Sequence, residues 1–203
     1  MNEALIHDHL TALGERDGDV ARGMALVGFP PPRTRPHGLP ALVGIVVAQQ
    51  ISKEAAASIL ARLETAAPGL DPSRVIGLGS EGLRACGLSR PKVAYVLGVA
   101  EAIQAGTVHP SHWPEMDDEA VIAEITSLKG FGRWSAEIYC LFALGRTDIF
   151  PADDLALIEA LRRLKGLAER PKPAEARRML EAWSPWRSAG SLFLWHYYRG
   201  APA

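Results

Sequence analysis

The chain has 203 residues, of which 48% are hydrophobic, and a formal net charge of −1 at neutral pH. These totals suit a globular protein with one core or two small lobes, and they argue against a protein that coats nucleic acid by bulk electrostatics. No apolar run approaches the roughly 18 residues that span a bilayer, and the N-terminus lacks the features of a signal peptide. We therefore expect a cytoplasmic protein that makes no membrane contact.

Apolar residues recur at three- and four-residue steps through most of the chain. This periodicity predicts helices over 4–13, 39–63, 92–103, 120–128, 135–144, 155–164 and 174–183. Segments rich in Gly and Pro predict loops at 28–38, 67–73, 106–118 and 170–173, and we interpret the first, which is proline-rich, as a rigid connector. No alternating run predicts a strand. The sequence therefore predicts an all-α protein.

Acidic residues mark the predicted starts of two helices. Residues 115–124 contain five acidic side chains and no basic one, which places negative charge at a positive helix end. Asp153 and Asp154 precede the run 155–164, so either one is a candidate N-cap. Basic residues are in excess between 129 and 199, where twelve Lys and Arg face eight Asp and Glu.

The stretch LKGFGRWSA, residues 128–136, joins two predicted helices through a turn that contains two glycines. Because Gly130 and Gly132 lack a Cβ, the backbone of this turn can approach a neighbour closely. The second helix begins with N–H groups that have no helical partner and with a positive dipole end. Arg133 and Lys129 stand where they add positive charge. We interpret the turn as a backbone clamp for one phosphate, which fixes position on a nucleic acid without reading its sequence.

Three motifs in the same order resemble the helix-hairpin-helix DNA glycosylase superfamily, and most of all its bacterial DNA-3-methyladenine glycosylase II branch. They are VAQQIS at 47–52, LKGFGRWSA with FPADD downstream of it, and WSPWRSAGSLFLWHYYR at 183–199. The similarity covers about residues 38–200. It implies an all-α fold of two helical lobes with the active-site cleft between them. We expect one lobe at about 38–115 and the other, with the hairpin and the catalytic groups, at about 116–200, with 1–37 packed against it.

The resemblance also implies a role for individual residues. Asp154 matches the essential carboxylate of the family, and Trp134 and Trp195 match aromatic residues that line the base pocket. Ile138 and His196 occupy pocket positions at which the relatives carry tyrosine. The positions that match DNA contacts are Gly130, Gly132, Arg133, Ser135, Gln49 and Gln50, with Gln50 in place of a leucine wedge. There is no room for the additional N-terminal β-domain of this branch.

Cofactors and partners follow from the same resemblance. Relatives hold a monovalent cation with hairpin carbonyls, which implies a structural Na⁺ or K⁺ at the carbonyls of Thr126, Leu128 and Phe131. No cofactor is implied as a requirement, and Cys86 and Cys140 are too few to hold an iron–sulfur cluster. The implied partner is double-stranded DNA that contains alkylated bases, and the implied state is a monomer associated with the bacterial nucleoid.

The chemistry of base removal agrees with these roles independently. Cleavage of an N-glycosidic bond leaves positive charge on the sugar, so the site needs a carboxylate that faces the anomeric carbon. Extrusion of the base costs about a few kcal/mol, which stacking on aromatic side chains offsets by roughly 1–3 kcal/mol per base. A base methylated at N3 or N7 is cationic, so a tryptophan face also attracts it electrostatically.

The absence of a suitable lysine predicts the outcome at the DNA strand. Relatives that also cut the strand carry a nucleophilic lysine in the pocket, whereas residues 133–154 contain no lysine and Lys129 matches no catalytic position. We therefore expect a monofunctional enzyme that excises alkylated purines, of the 3-methyladenine and 7-methylguanine type, and leaves an abasic site uncut. The alternatives are a hairpin protein that binds DNA without chemistry and a structural helical scaffold. The carboxylate of Asp154 favours the enzyme.

Overall fold

The computed structural model describes residues 1–201, which form eleven α-helices and three short 3-10 turns and contain no strand. None of these helices is long and apolar enough to cross a membrane. The prediction of an all-α protein is confirmed. The helices are α1 (Glu3–Arg16), α2 (Gly18–Val27), α3 (Leu39–Ala48), α4 (Lys53–Ala66), α5 (Pro72–Ala85), α6 (Arg90–Gln104), α7 (Asp118–Ser127), α8 (Arg133–Phe142), α9 (Leu155–Leu164), α10 (Pro173–Met179) and α11 (Arg187–Gly200).

The structure differs from the predicted helices in two ways. The run 39–63 is divided into α3 and α4, because Gln50 adopts a left-handed φ of +56° and Ser52 then starts a new helix as its N-cap. The hydroxyl oxygen of Ser52 accepts a hydrogen bond from the N–H of Ala55 at 3.2 Å. The structure also adds α2, α5 and α11, which the periodicity does not predict. In α5 three glycines weaken the helical pattern.

The chain divides into two compact units. Residues 35–139 form one, here called the middle unit, and residues 1–34 join the described part of the chain from 140 onward to form the other, here called the terminal unit. The N-terminal segment thus joins the unit that contains Asp154. The hairpin lies in the middle unit, and its contacts show why.

The middle unit is built around α3. Eight of the ten residues of this helix are buried, and the helix packs against α4 and α6. A helix that is apolar all round belongs in a core, and this one forms the centre of its unit. The Nζ atom of Lys92 in α6 donates hydrogen bonds to the carbonyls of Val47 and Gln49 at 2.8 and 2.7 Å, which satisfies the end of α3.

The hairpin of α7 and α8 packs on this centre. Gly130 has a φ of +93°, and a Cβ at this position would lie 2.4 Å from two ring carbons of Tyr95 in α6. The Nε2 atom of Gln49 donates a hydrogen bond to the carbonyl of Gly130 at 3.2 Å. Tyr139 in α8 accepts a hydrogen bond from the N–H of Gly38 at 2.8 Å. The hairpin is therefore fixed by both ends of α3 and by α6, which is why it belongs to the middle unit.

The terminal unit joins α1, α2, α9 and α11. Helix α11 packs against α9, α1 and α2. Lys165, just after α9, pairs with Asp17 at 2.6 Å and with Asp19 at 2.9 Å, at the start of α2. Trp183 is buried, and its Nε1 atom donates to Asp17 at 2.7 Å. These contacts connect the N-terminal helices to α9, the helix that begins after Asp154.

The two hairpin glycines are expected to respond differently to substitution. Gly130→Ala combines a left-handed φ with overlap of the Tyr95 ring, so we expect it to lower the free energy of unfolding by roughly 2–4 kcal/mol. Gly132→Ala meets no atom within 4 Å and has no positive φ, so its cost is expected to be about 1 kcal/mol or less. Urea denaturation of both variants and the wild type measures the difference. Equal losses in the two variants would contradict the packing of Gly130 described here.

Candidate active site

Asp154 is the N-cap of α9. Its Oδ1 atom accepts hydrogen bonds from the N–H groups of Ala156 and Leu157, each at 3.0 Å. Of the two candidate aspartates, Asp154 is therefore the one that caps the helix. The side chain remains half-buried, so one residue both caps a helix and presents a carboxylate at its positive end.

Trp195 in α11 binds the same carboxylate oxygen. Its Nε1 atom donates to Oδ1 of Asp154 at 3.2 Å, so three donors converge on one atom. The indole ring stacks on Phe142, with ring centroids 5.6 Å apart and an interplanar angle of 26°. The structure thus brings together two residues that the sequence motifs select from distant parts of the chain. The carboxylate is held in one orientation beside an aromatic surface.

The segment that leads to Asp154 has no regular secondary structure and is fixed by α10 and α11. The N–H of Ile149 donates to the hydroxyl of Ser188 at 2.9 Å, and the hydroxyl of Ser191 donates to the carbonyl of Ile149 at 3.1 Å. Arg177 in α10 donates to the carbonyl of Phe150 at 3.1 Å. Both serines are fully buried. The backbone that positions the carboxylate is therefore secured at two successive residues.

Asp153 has a different environment from Asp154. It is exposed, and its carboxylate lies 3.6 Å from the guanidinium of Arg177. The expectation that Asp153 caps the helix is wrong, because Asp154 occupies the cap. Its carboxylate, near the start of the helix, instead pairs with Arg177. A weak ion pair at the surface explains Asp153 without a chemical role.

His196 contacts a different helix from the one that carries Asp154. Its Nε2 atom donates a hydrogen bond to the carbonyl of Val27, the last residue of α2, at 2.7 Å. The ring therefore connects α11 to the C-terminal end of α2, whose last carbonyls lack helical partners. This contact fixes the orientation of the ring, and the pocket role of His196 stays a prediction.

Arg133, at the start of α8, is paired with two carboxylates. Its guanidinium contacts both oxygens of Glu119, at 2.5 and 3.1 Å, and an oxygen of Glu137 at 3.0 Å. The Glu119 hydrogen bond, and next the charges of both carboxylates, raise the pKa of Arg133. The buried Glu137 requires a cation, and Arg133 supplies it. The charge that Arg133 is predicted to add at the hairpin is therefore paired with two carboxylates.

The other predicted hairpin residues lie at different depths. Gly132 and Lys129 are exposed, and Trp134 is half-buried. Ser135 and Ile138 are buried, with 3% and 4% of their surfaces exposed. A Cβ at Gly132, just before the start of α8, would meet no atom within 4 Å, and the phosphate clamp at this helix start stays a prediction.

Gln49 and Gln50 have different environments in the structure. The side chain of Gln49 binds the hairpin carbonyl of Gly130, which is a structural contact. Gln50 is exposed and adopts a left-handed conformation that costs a residue other than glycine about 1–3 kcal/mol. Ile51 beside it is 38% exposed. The turn between α3 and α4 therefore presents one amide and one apolar side chain to solvent.

The carbonyls predicted to hold a cation lie where α7 ends. Thr126 is in the last turn of that helix, and Leu128 and Phe131 follow it in the turn. The carbonyl of Leu128 accepts a hydrogen bond from the N–H of Phe131 at 3.2 Å, which uses one of its two lone pairs. Carbonyl oxygens without a carboxylate among them are a donor set that suits a hard monovalent ion.

The sequence motifs do not select Phe142 and Leu155, which lie near the Asp154 and Trp195 pair. Phe142 supports Trp195, but a stacking contact over this sequence distance leaves no local pattern. Leu155, the first residue of α9, is 74% exposed although it is a leucine. An apolar residue on the polar side of a strongly amphipathic helix is a signal that periodicity analysis can detect.

Comparison with known proteins places these features in a family. The model of the HhH-GPD superfamily of base excision DNA repair proteins matches residues 43–185. DNA-3-methyladenine glycosylase 1 of Schizosaccharomyces pombe is 31% identical over 158 residues, which are 76% of this chain and 69% of that protein. DNA-3-methyladenine glycosylase 2 of Escherichia coli is 30% identical over 125 residues, which are 62% of this chain and 41% of that protein.

Solved structures agree with the sequence comparison. The S. pombe 3-methyladenine DNA glycosylase in complex with abasic DNA has a TM-score of 0.82 and 29% identity, and the match covers 94% of each chain. A DNA-3-methyladenine glycosidase from Bacillus halodurans also has a TM-score of 0.82, with 27% identity, and the match covers 94% of this chain and 89% of that one.

The cap role of Asp154 can be separated from any chemical role by its effect on stability. Asp154→Ala removes an acceptor for two backbone N–H groups and is expected to cost about 1 kcal/mol of unfolding free energy. Asp154→Asn keeps an oxygen that can cap and is expected to stay within about 0.5 kcal/mol of the wild type. Chemical denaturation of the three proteins checks this order. An asparagine variant as unstable as the alanine variant would contradict it.

Proposed function

We propose, on the premise that the chain belongs to the HhH-GPD superfamily of base excision DNA repair proteins, that it is a DNA glycosylase which excises alkylated purines. Its relatives are named DNA-3-methyladenine glycosylases, and one is solved with abasic DNA, the product of such a reaction. The enzyme binds double-stranded DNA and hydrolyses the N-glycosidic bond between the damaged base and its deoxyribose.

The observation that carries the proposal is the carboxylate of Asp154 with its three donors. Heterolysis of the bond sends its electron pair to the base and leaves an oxocarbenium-like sugar. The negative charge of Asp154 stabilises that cation, and water then adds to the anomeric carbon and releases a proton. The fixed N–H groups keep the carboxylate in place, so little reorganisation is needed as the charge develops.

The proposed substrate is a purine methylated at N3 or N7. Such a base carries a positive charge and leaves as a neutral molecule, so the enzyme needs little help from a general acid. The Trp195 ring, supported by Phe142, offers a face to a cationic base, an attraction worth about 0.5–2 kcal/mol. Trp134 is proposed as the second stacking surface, because it occupies the matching position of the family motif.

The hairpin is proposed to hold one phosphate with backbone groups. The first N–H groups of α8 have no helical partners and lie at its positive end. Because Arg133 is neutralised by two carboxylates, the attraction comes from these N–H groups and the helix dipole. A Na⁺ or K⁺ held by the carbonyls of Thr126, Leu128 and Phe131 would add positive charge beside the turn.

The proposed enzyme is monofunctional. Strand cutting in this superfamily's bifunctional members uses a lysine that attacks the anomeric carbon. In the terminal unit Lys165 is held by Asp17 and Asp19, and residues 133–154 contain no lysine. The product is therefore an abasic site in an intact strand.

Base release from methylated duplex DNA tests this proposal. The wild type is expected to release free methylpurine, while Asp154→Asn is expected to lose at least about 100-fold in the single-turnover rate and to keep its binding to abasic DNA. Strands should break only after hot alkali. The matched control is Asp153→Asn, which should retain the rate. Binding to abasic DNA without release of any alkylated base by the wild type would instead support a recognition protein without chemistry.

A further inference from the structure

The ring of Phe142 lies between Arg33 and Trp195, the residue that donates a hydrogen bond to Asp154. The carbon of its guanidinium is 5.2 Å from the centroid of the Phe142 ring. That ring stacks on Trp195, which donates to Asp154. A continuous line of contacts therefore leads from the proposed catalytic carboxylate to an arginine in the segment that follows α2.

A stiff segment carries this arginine. Three prolines precede Arg33, and each one fixes its own φ. Pro30 is buried, so the segment is anchored where it leaves α2. A side chain presented by such a segment loses less conformational freedom on binding than one on a flexible loop. The proline-rich loop, interpreted from the sequence as a rigid connector, thus also positions a cation.

Among the residues that the structure describes, no carboxylate pairs with Arg33. Within residues 1–201 no carboxylate lies at ion-pair distance from Arg33 or from Arg199. Several other arginines of the terminal unit are paired, as Arg187 is with Asp148 at 2.7 Å. Arg33 is exposed to solvent, and partial desolvation, and next the charge of Arg199, lower its pKa. Two like charges close to each other favour an anion between them or beside them.

The geometry of the contact fits a phosphate. The guanidinium carbon of Arg33 lies over the Phe142 ring, and the N–H groups of arginine lie in the guanidinium plane. A planar fork of this kind binds two oxygens of one phosphate. A phosphodiester beside the reacting sugar would be repelled by the Asp154 carboxylate, and a nearby cation offsets that repulsion.

We propose that Arg33, with Arg199 near it, binds the phosphodiester next to the deoxyribose that faces Asp154. The inference rests on the proposed function, because it requires a flipped nucleotide at Asp154. It identifies the substrate strand as the ligand and gives the terminal unit a phosphate contact separate from the hairpin. In an intact duplex the nucleotide is not flipped, so this contact forms only at the lesion.

Binding of two duplexes at several salt concentrations tests the inference. One contains a tetrahydrofuran abasic-site analogue and the other has the same sequence without a lesion, and fluorescence anisotropy gives the Kd of each. Arg33→Gln is expected to weaken binding to the abasic duplex about tenfold and to reduce its salt slope by about one, with a smaller effect on the intact duplex. Arg33→Lys should restore the slope but only part of the affinity, because it lacks the planar fork.

Two controls keep the outcomes distinct. Arg22→Ala removes an exposed arginine in the first half of α2 and should change neither Kd nor slope. An Arg33→Gln variant that melts at a lower temperature while its Kd and slope are unchanged would overturn the inference in favour of simple packing on Phe142. Equal weakening on both duplexes would also overturn it. Base release by the wild type is measured in parallel, so a failure of the proposed function is seen separately from a failure of the phosphate contact.

Discussion

The site depends on one constraint, the convergence of three N–H groups on Oδ1 of Asp154. Two of them belong to the first turn of α9, and the third is the indole of Trp195. Each donor requires a different part of the terminal unit to be in place. The helix start depends on the extended segment before it, and the indole depends on the packing of α11 against α9. Capping and catalysis therefore use the same atom, and the fold stabilises the orientation that the reaction needs.

The charges of this protein do not favour strong electrostatic attraction to DNA. The net charge is −1, and several arginines that look available in the sequence are neutralised in the structure. Arg133 is bound by Glu119 and Glu137, and Arg162, Arg163 and Arg170 all contact Glu159, whose pKa they lower strongly. A protein with a net charge near zero binds intact DNA weakly and leaves it readily. Such a protein gains affinity mainly where a base can leave the stack.

Much of this arrangement can be predicted from the sequence, because it depends on local patterns. Helical periodicity, the two-glycine turn and the aspartate pair before an amphipathic run are all short-range signals, and each corresponds to an element in the structure. The choice between Asp153 and Asp154 as the cap is different. It depends on where the preceding segment is held by Ser188 and Ser191, and no local pattern records that contact.

The remaining differences have the same physical origin. Gly130 is required by the ring of Tyr95, which approaches from another helix, as well as by its own positive φ. Arg133 is neutralised by Glu119 on the preceding helix, and His196 binds a carbonyl at the end of α2. In each case the residue type was informative, but the partner lies far away in sequence. Tertiary contacts decide whether a polar side chain is available to a ligand or already used by the fold.

The most direct test of the central claim concerns the charge that Asp154 is proposed to stabilise. Duplex DNA with a pyrrolidine analogue, whose ring carries a protonated nitrogen in place of the anomeric carbon, is compared with the neutral tetrahydrofuran analogue. If Asp154 stabilises positive charge at the anomeric centre, the wild type binds the cationic analogue more tightly by roughly tenfold or more, and Asp154→Asn loses this preference. An equal preference in both proteins would contradict the account, since the charge of Asp154 would then not act at the anomeric centre.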